Sequence, residues 1–137
     1  MKLRSFLTGL ALLATTLAAS AAEVRKIPAA DAAKLVAAGK AVLVDVREAS
    51  ECAESGLASP AVWLPKSDFD GDQKLWKPFL EKNVGKEILL YCRAGGRAAG
   101  IATDLAAKGY STASIGGLKD WTGAGLPTRP AEPAAKK

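Results

Sequence analysis

The 137-residue sequence contains no histidine. That absence excludes Ser-His-Asp and Cys-His catalysis and removes the commonest metal ligand. Cysteine is nearly as scarce, with only Cys52 and Cys92, and two thiols without histidine do not make a structural zinc site. A nucleophile in this chain therefore takes its activation from backbone dipoles and cations. Charge of one sign is not concentrated either. The 19 Lys and Arg against 14 Asp and Glu give +5, scattered along the chain, a balance too mild to argue for nucleic acid yet compatible with a small anionic substrate. Long hydrophobic runs are missing as well. The stretch Phe6–Ala18 falls short of the roughly 20 residues that span a bilayer.

That stretch reads instead as the core of an export signal. Lys2 and Arg4 form its basic start, and Ala19-Ser20-Ala21-Ala22 supplies small residues for cleavage after Ala21 or Ala22. The expected organisation is a signal peptide at 1–22, one domain at 23–128 and a flexible tail at 129–137, rich in proline, alanine and lysine. Losing Lys2 and Arg4 with an acid-free leader lowers the formal charge from +5 to +3. No cysteine lies near the cleavage site to be lipidated. The expectation is an exported, soluble, periplasmic protein with no membrane span after cleavage; an uncleaved anchor is the alternative.

Within the domain, strand and helix signals alternate. Val24–Ile27 reads as an edge strand, and Asp31 as the cap of a helix that stops near Gly39. Ala41–Val46 is apolar except for Asp45 and reads as a central parallel strand, with Asp45 and Arg47 at its C-terminal end. Glu48–Glu54 predicts a short helix, 55–60 a loop, Ala61–Leu64 a strand and Ser67–Asp72 a turn-rich stretch. Leu75, Trp76, Phe79 and Leu80 fall at helical spacing, their aromatic rings bound for the core. Glu87–Tyr91 is a second buried strand, Ala98–Ala107 a helix stopped by Gly109, and Thr112–Ile115 a last strand. The pattern predicts an α/β domain, a mainly parallel central sheet flanked by helices.

Between the second strand and its helix lies Cys92-Arg93-Ala94-Gly95-Gly96-Arg97. The glycines permit a tight turn, and a thiol there meets amide N–H groups, a helix N-terminus and two guanidinium groups, each of which favours a thiolate. Cys92 is therefore the candidate nucleophile, with Arg93, Ala94, Gly95, Gly96 and Arg97 as an anion-binding cradle. Arg97 orients the loop or grips the anion, Arg93 adds charge at the mouth, and for either the competing reading is a solvated surface arginine.

Three segments, Val44-Asp45-Val46-Arg47-Glu48, the Cys92–Arg97 loop, and Gly116-Gly117-Leu118-Lys119-Asp120-Trp121, with Gly125 and Pro127 after them, resemble in order and spacing the rhodanese family of sulfurtransferases. The export signal makes the chain most similar to the small periplasmic single-domain members. The resemblance implies a three-layer rhodanese-like domain without a cofactor or metal. It also implies a thiosulfate sulfurtransferase in which Cys92 takes the outer sulfur of the donor as a persulfide and hands it to cyanide or a thiol. A sulfur-relay protein partner is a further implication. The matching motifs place Asp45, Arg47, Lys119 and Trp121 as possible pocket residues; for Asp45 and Arg47 the competing reading is a buried ion pair, and for Trp121 core packing. Related phosphatases and arsenate reductases carry C-x5-R, whereas this loop is C-x4-R, a size suited to a sulfur atom on the cysteine.

The sequence departs from the family at Gly56-Leu57-Ala58-Ser59-Pro60-Ala61, where members read close to Gly-His-Ile-Pro-Gly-Ala. Cys52 lies just before, at a position usually aromatic. It is a small buried hydrophobe or a resolving thiol for Cys92. Two other functions thus stay open: a persulfide carrier serving a partner protein, and a thiol redox protein using Cys52 with Cys92.

Overall fold

The computed structural model describes residues 24–132; the expected signal peptide and the last residues of the expected tail lie outside them. Helix α1 (Ala29–Ala37) leads into β1 (Ala41–Asp45), then come α2 (Ala49–Ser55), β2 (Leu57–Ala58) and β3 (Val62–Trp63). Two short helices follow, α3 (Lys66–Asp70) and α4 (Trp76–Lys82), before β4 (Glu87–Cys92), α5 (Gly96–Ala107), β5 (Thr112–Gly117), α6 (Leu118–Gly123) and β6 (Thr128–Arg129). The strands β3-β1-β4-β5, in that order, form one parallel sheet, and β2 pairs antiparallel with β6 in a small separate ribbon. The α/β architecture expected from alternating strand and helix signals is the one observed.

Side chains leave a strand on alternate faces, and this divides the core in two. Val44, Val46, Ile88, Leu90 and Cys92 face α3, α4 and α5, where Phe69, Trp76, Ile101 and Leu105 meet them. Leu43, Leu89, Tyr91, Ala113 and Ile115 face the other way, against Ala29 and Ala32 of α1 and Trp121 of α6. Trp76 and Phe79 are core residues as their spacing predicts. The Trp76 ring lies edge-on between Phe69 and Phe79, with centroids 5.1 and 5.9 Å away.

The structure corrects several local expectations. Helix α1 begins at Ala29 after Pro28, whose φ of −60° is already preset for entry, so Asp31 sits in the first turn without capping it. Val24–Ile27 contributes a single bridge, Lys26 to Ser114, because Pro28 has no N–H with which to extend the pairing. The stretch expected as turn-rich forms α3, held where Ser67 donates its N–H and hydroxyl to the Glu48 carboxylate. The expected loop at 55–60 contains β2, whose antiparallel partner β6 includes Arg129. Helix α5 starts two residues before Ala98 and so takes Gly96 and Arg97 into its first turn. No helix among the described residues is long and apolar enough to cross a membrane.

Candidate active site

Cys92 ends β4 at the C-terminal edge of the parallel sheet, where open α/β sheets bind ligands. The residue is almost fully buried, and its Sγ accepts a hydrogen bond from the Gly95 N–H at 2.9 Å. That contact needs Gly95 at φ +109°, in the left-handed region that side-chain-bearing residues avoid. Gly95 also serves as the N-cap of α5. The N–H groups of Gly96, Arg97 and Ala98 consequently open the helix with no carbonyl one turn behind them. A strand, one tight turn and a helix N-terminus thus set one amide donor on the sulfur at the start of α5, an arrangement that stabilises negative charge.

The loop leans on one further glycine. Cys92 pairs with Gly117 across β4 and β5, and a Cβ on Gly117 would lie 2.1 Å from the Arg93 carbonyl oxygen. Asp120 fixes this turn by accepting the Gly117 N–H at 2.7 Å. Gly117→Ala is expected to push the Arg93 carbonyl aside, cost about 1–3 kcal/mol of stability and slow alkylation of Cys92. Gly123→Ala, where an added Cβ meets nothing within 4 Å, is the neutral control. Equal behaviour of the two variants in urea unfolding and alkylation would contradict this packing argument.

Arg97 points its guanidinium at Glu51 of α2: Nη1 donates to Oε2 and Nη2 to Oε1, both at 2.7 Å. The hydrogen bonds from Arg97 hold the Glu51 carboxyl well below the usual carboxylate range, at about 2, and in turn push the Arg97 guanidinium up. Glu51 Oε2 also accepts the Glu48 N–H at 3.0 Å and completes a capping box at the start of α2. Arg97 thus ties the start of α5 to α2 through Glu51. Glu51 was not singled out from the sequence. Its only local signature is the E-x-x-E capping pattern, and the partner stands 46 residues away. Arg93, Ala94 and Gly96 are exposed, Gly95 half-buried.

The remaining candidates separate. Lys119 is exposed at the start of α6 and, like Arg93, makes no ion pair among the described residues. Trp121 is buried in the core, its Nε1–H donating to the Pro127 carbonyl at 2.7 Å. Asp45 and Arg47 form a solvent-excluded ion pair, with Arg47 Nε 3.0 Å from Asp45 Oδ1 and Nη2 2.7 Å from Oδ2. Arg47 further donates to Ser55 Oγ and the Gly56 carbonyl at 2.7 and 2.6 Å, which ties the end of α2 to β1. Burial, with the Asp45 carboxylate beside it, pushes the Cys52 thiol up to about 11. Both cysteines are free. Strand alternation turns Asp45, whose carboxylate lies beside the Cys52 thiol, away from the face that carries Cys92.

A cleft of about 720 Å³ lies against α2 and β3, lined by Ala49, Cys52, Ala53, Leu57, Val62 and Trp63 among others, and none of residues 92–97 borders it. It occupies the region where the sequence departs from the family pattern. No cluster of His, Cys, Asp or Glu suited to a metal occurs among the described residues.

A family model described as a rhodanese-like domain matches residues 28–124. Among solved structures, the chain is similar to a rhodanese-related protein from Thermoplasma volcanium, at 27% identity and TM-score 0.62, over 78% of this chain and 99% of that one. It is also similar to a Rhodopseudomonas palustris protein of unknown function described as a possible tyrosine phosphatase, at 23% identity and TM-score 0.63, over 77% and 85% of the two chains. A third similarity is to reduced CoADR-RHD of Bacillus anthracis, at 26% identity and TM-score 0.58, over 72% of this chain and 16% of that much longer one. No curated protein matches the chain. The family match covers most of the domain and includes the Cys92 turn, the buried Asp45–Arg47 pair and the close approach of Gly117 to Arg93. The chain belongs to the rhodanese-like domain family, a family of sulfur-transfer and persulfide chemistry.

Proposed function

We propose that the protein is an exported thiosulfate sulfurtransferase. The Cys92 thiolate attacks the outer sulfur of thiosulfate, the S–S bond of the donor breaks, sulfite leaves with the electron pair, and Cys92 retains the sulfur as a persulfide. Cyanide or a thiolate then attacks that outer sulfur, forming thiocyanate or a new persulfide and releasing the Cys92 thiolate. The observation that carries this reading is the Gly95 N–H held 2.9 Å from Sγ at the N-terminus of α5, a preformed cradle for a charged sulfur. No proton acceptor is required, which suits a chain without histidine. The four residues between Cys92 and Arg97 favour sulfur over the tetrahedral oxyanion of a phosphatase. Export to the periplasm rests on Lys2, Arg4 and the apolar stretch that follows; the physiological acceptor is a small thiol or a relay protein.

Treatment with thiosulfate is expected to add one sulfur atom to Cys92, read by intact-protein and peptide mass, and cyanide is expected to remove it as thiocyanate. Loading without release to cyanide, dithiol or glutathione would assign the protein as a persulfide carrier for a partner instead. No loading at all would overturn the proposal.

A further inference from the structure

We propose that Glu51 is a positioning residue that sets the anion selectivity of the Cys92 site, by clamping Arg97 so that its guanidinium fork is withheld from incoming oxyanions. The inference rests on the sulfur-transfer reading and adds a reason why such a site discriminates against phosphate and sulfate. A guanidinium binds a tetrahedral anion best through a pair of parallel N–H groups. In this structure Arg97 already gives Nη1 and Nη2 to the two oxygens of Glu51, at 2.7 Å each.

The clamp is itself held at both ends. Glu51 is fixed by the capping box that opens α2, and the far end of α2 is fixed by Arg47 through Ser55 Oγ and the Gly56 carbonyl. Arg97 is fixed by the first turn of α5. Arg97 stands beside the Cys92 sulfur, but its paired N–H groups are taken by Glu51, so the donors left to an incoming anion at Sγ are the Gly95 amide and the α5 N-terminus. Backbone amides favour a soft sulfur held close to the thiol, and Arg97, while clamped, offers no paired fork to the oxygen face of a free oxyanion.

Inorganic phosphate is the probe, with binding read from the amide resonances of Gly95 and Gly96 in wild type, Glu51→Gln, Glu51→Asp and the double variant Glu51→Gln/Arg97→Gln. Glu51→Gln is expected to bind phosphate roughly tenfold more tightly, the scale of one charge-assisted hydrogen bond. Glu51→Asp stays nearer wild type, and the double variant loses the gain. Steady-state kinetics supply an arm that does not depend on the stability of Glu51→Gln. Arg97→Gln is expected to lower kcat while leaving the thiosulfate KM within about twofold, because removing an orienting group affects the transition state and not donor capture. Unchanged phosphate affinity in Glu51→Gln, or a KM raised about tenfold in Arg97→Gln, would overturn the inference. Absence of thiosulfate turnover in the wild type alongside tighter phosphate binding in Glu51→Gln would overturn the proposed reaction and leave the clamp standing.

Discussion

Replacing Cys92 by serine is expected to lower sulfur transfer by on the order of 10⁴-fold or more and to abolish persulfide loading. Serine preserves the shape of the residue and still offers the Gly95 N–H an acceptor, so the loop is expected to fold as before. The hydroxyl, however, is a far weaker nucleophile at neutral pH, and no histidine exists to take its proton. Glu51, the carboxylate linked to the loop, is committed to Arg97 and lowered to about 2, which makes it a poor base. Cys52 cannot stand in. Its thiol, pushed up to about 11, stays protonated at neutral pH, lies beside Asp45 and borders a cleft that none of residues 92–97 lines. Cys52→Ala is accordingly expected to keep turnover within about threefold of wild type. The thiol redox reading makes the opposite prediction, since it requires both sulfurs. Turnover of both variants beside wild type, with mass analysis of the thiosulfate-treated proteins, decides between them. Substantial activity in Cys92→Ser would show that the sulfur travels by another route.

What could be read in the sequence follows the range of the interactions concerned. The Cys92 turn was legible because strand, glycines and helix start are contiguous, and each acts on its immediate neighbours. The parallel strands at Ala41–Asp45 and Glu87–Cys92 were legible because burial on both faces leaves a nearly unbroken apolar run. Elements defined by distant partners were not. Leu57 and Ala58 become a strand only through Thr128 and Arg129, some 70 residues later, and two residues carry no periodicity. Helix α3 looked like a turn because Asp68, Asp70 and Gly71 dominate its composition; its start is satisfied by Glu48, 19 residues earlier. Arg97 was visible as a charge beside the thiol, yet its role depends on Glu51, which no local pattern connects to it. The same reasoning explains why a motif shared with a family left Asp45 ambiguous: a position at the edge of the sheet says where the backbone is, and only the burial of Arg47 says what the carboxylate does.

Asp45→Ala is expected to be the most destabilising single change among the charged residues, at about 3–5 kcal/mol. It removes the counter-charge from a guanidinium that is 3% exposed. Arg47 would retain Ser55 Oγ, the Gly56 carbonyl and the Tyr91 ring, whose centroid lies 5.8 Å away. Those are dipoles and a quadrupole, and none offsets the cost of a buried unpaired cation. Domains of this kind have total stabilities of roughly 5–15 kcal/mol, so the loss is a large share of the whole. The expected signature in urea is a lower midpoint with an unchanged slope. Adding Arg47→Met should recover part of the loss, because an apolar replacement of both partners leaves no charge stranded. The effect should also reach the active site before global unfolding. Arg47 secures the end of α2, and α2 presents Glu51 to Arg97, so Asp45→Ala protein is expected to lose sulfur transfer at urea concentrations where its far-UV circular dichroism is still native. An unfolding free energy within about 1 kcal/mol of wild type, or activity and circular dichroism falling together, would show that the buried pair does not hold the catalytic loop through α2.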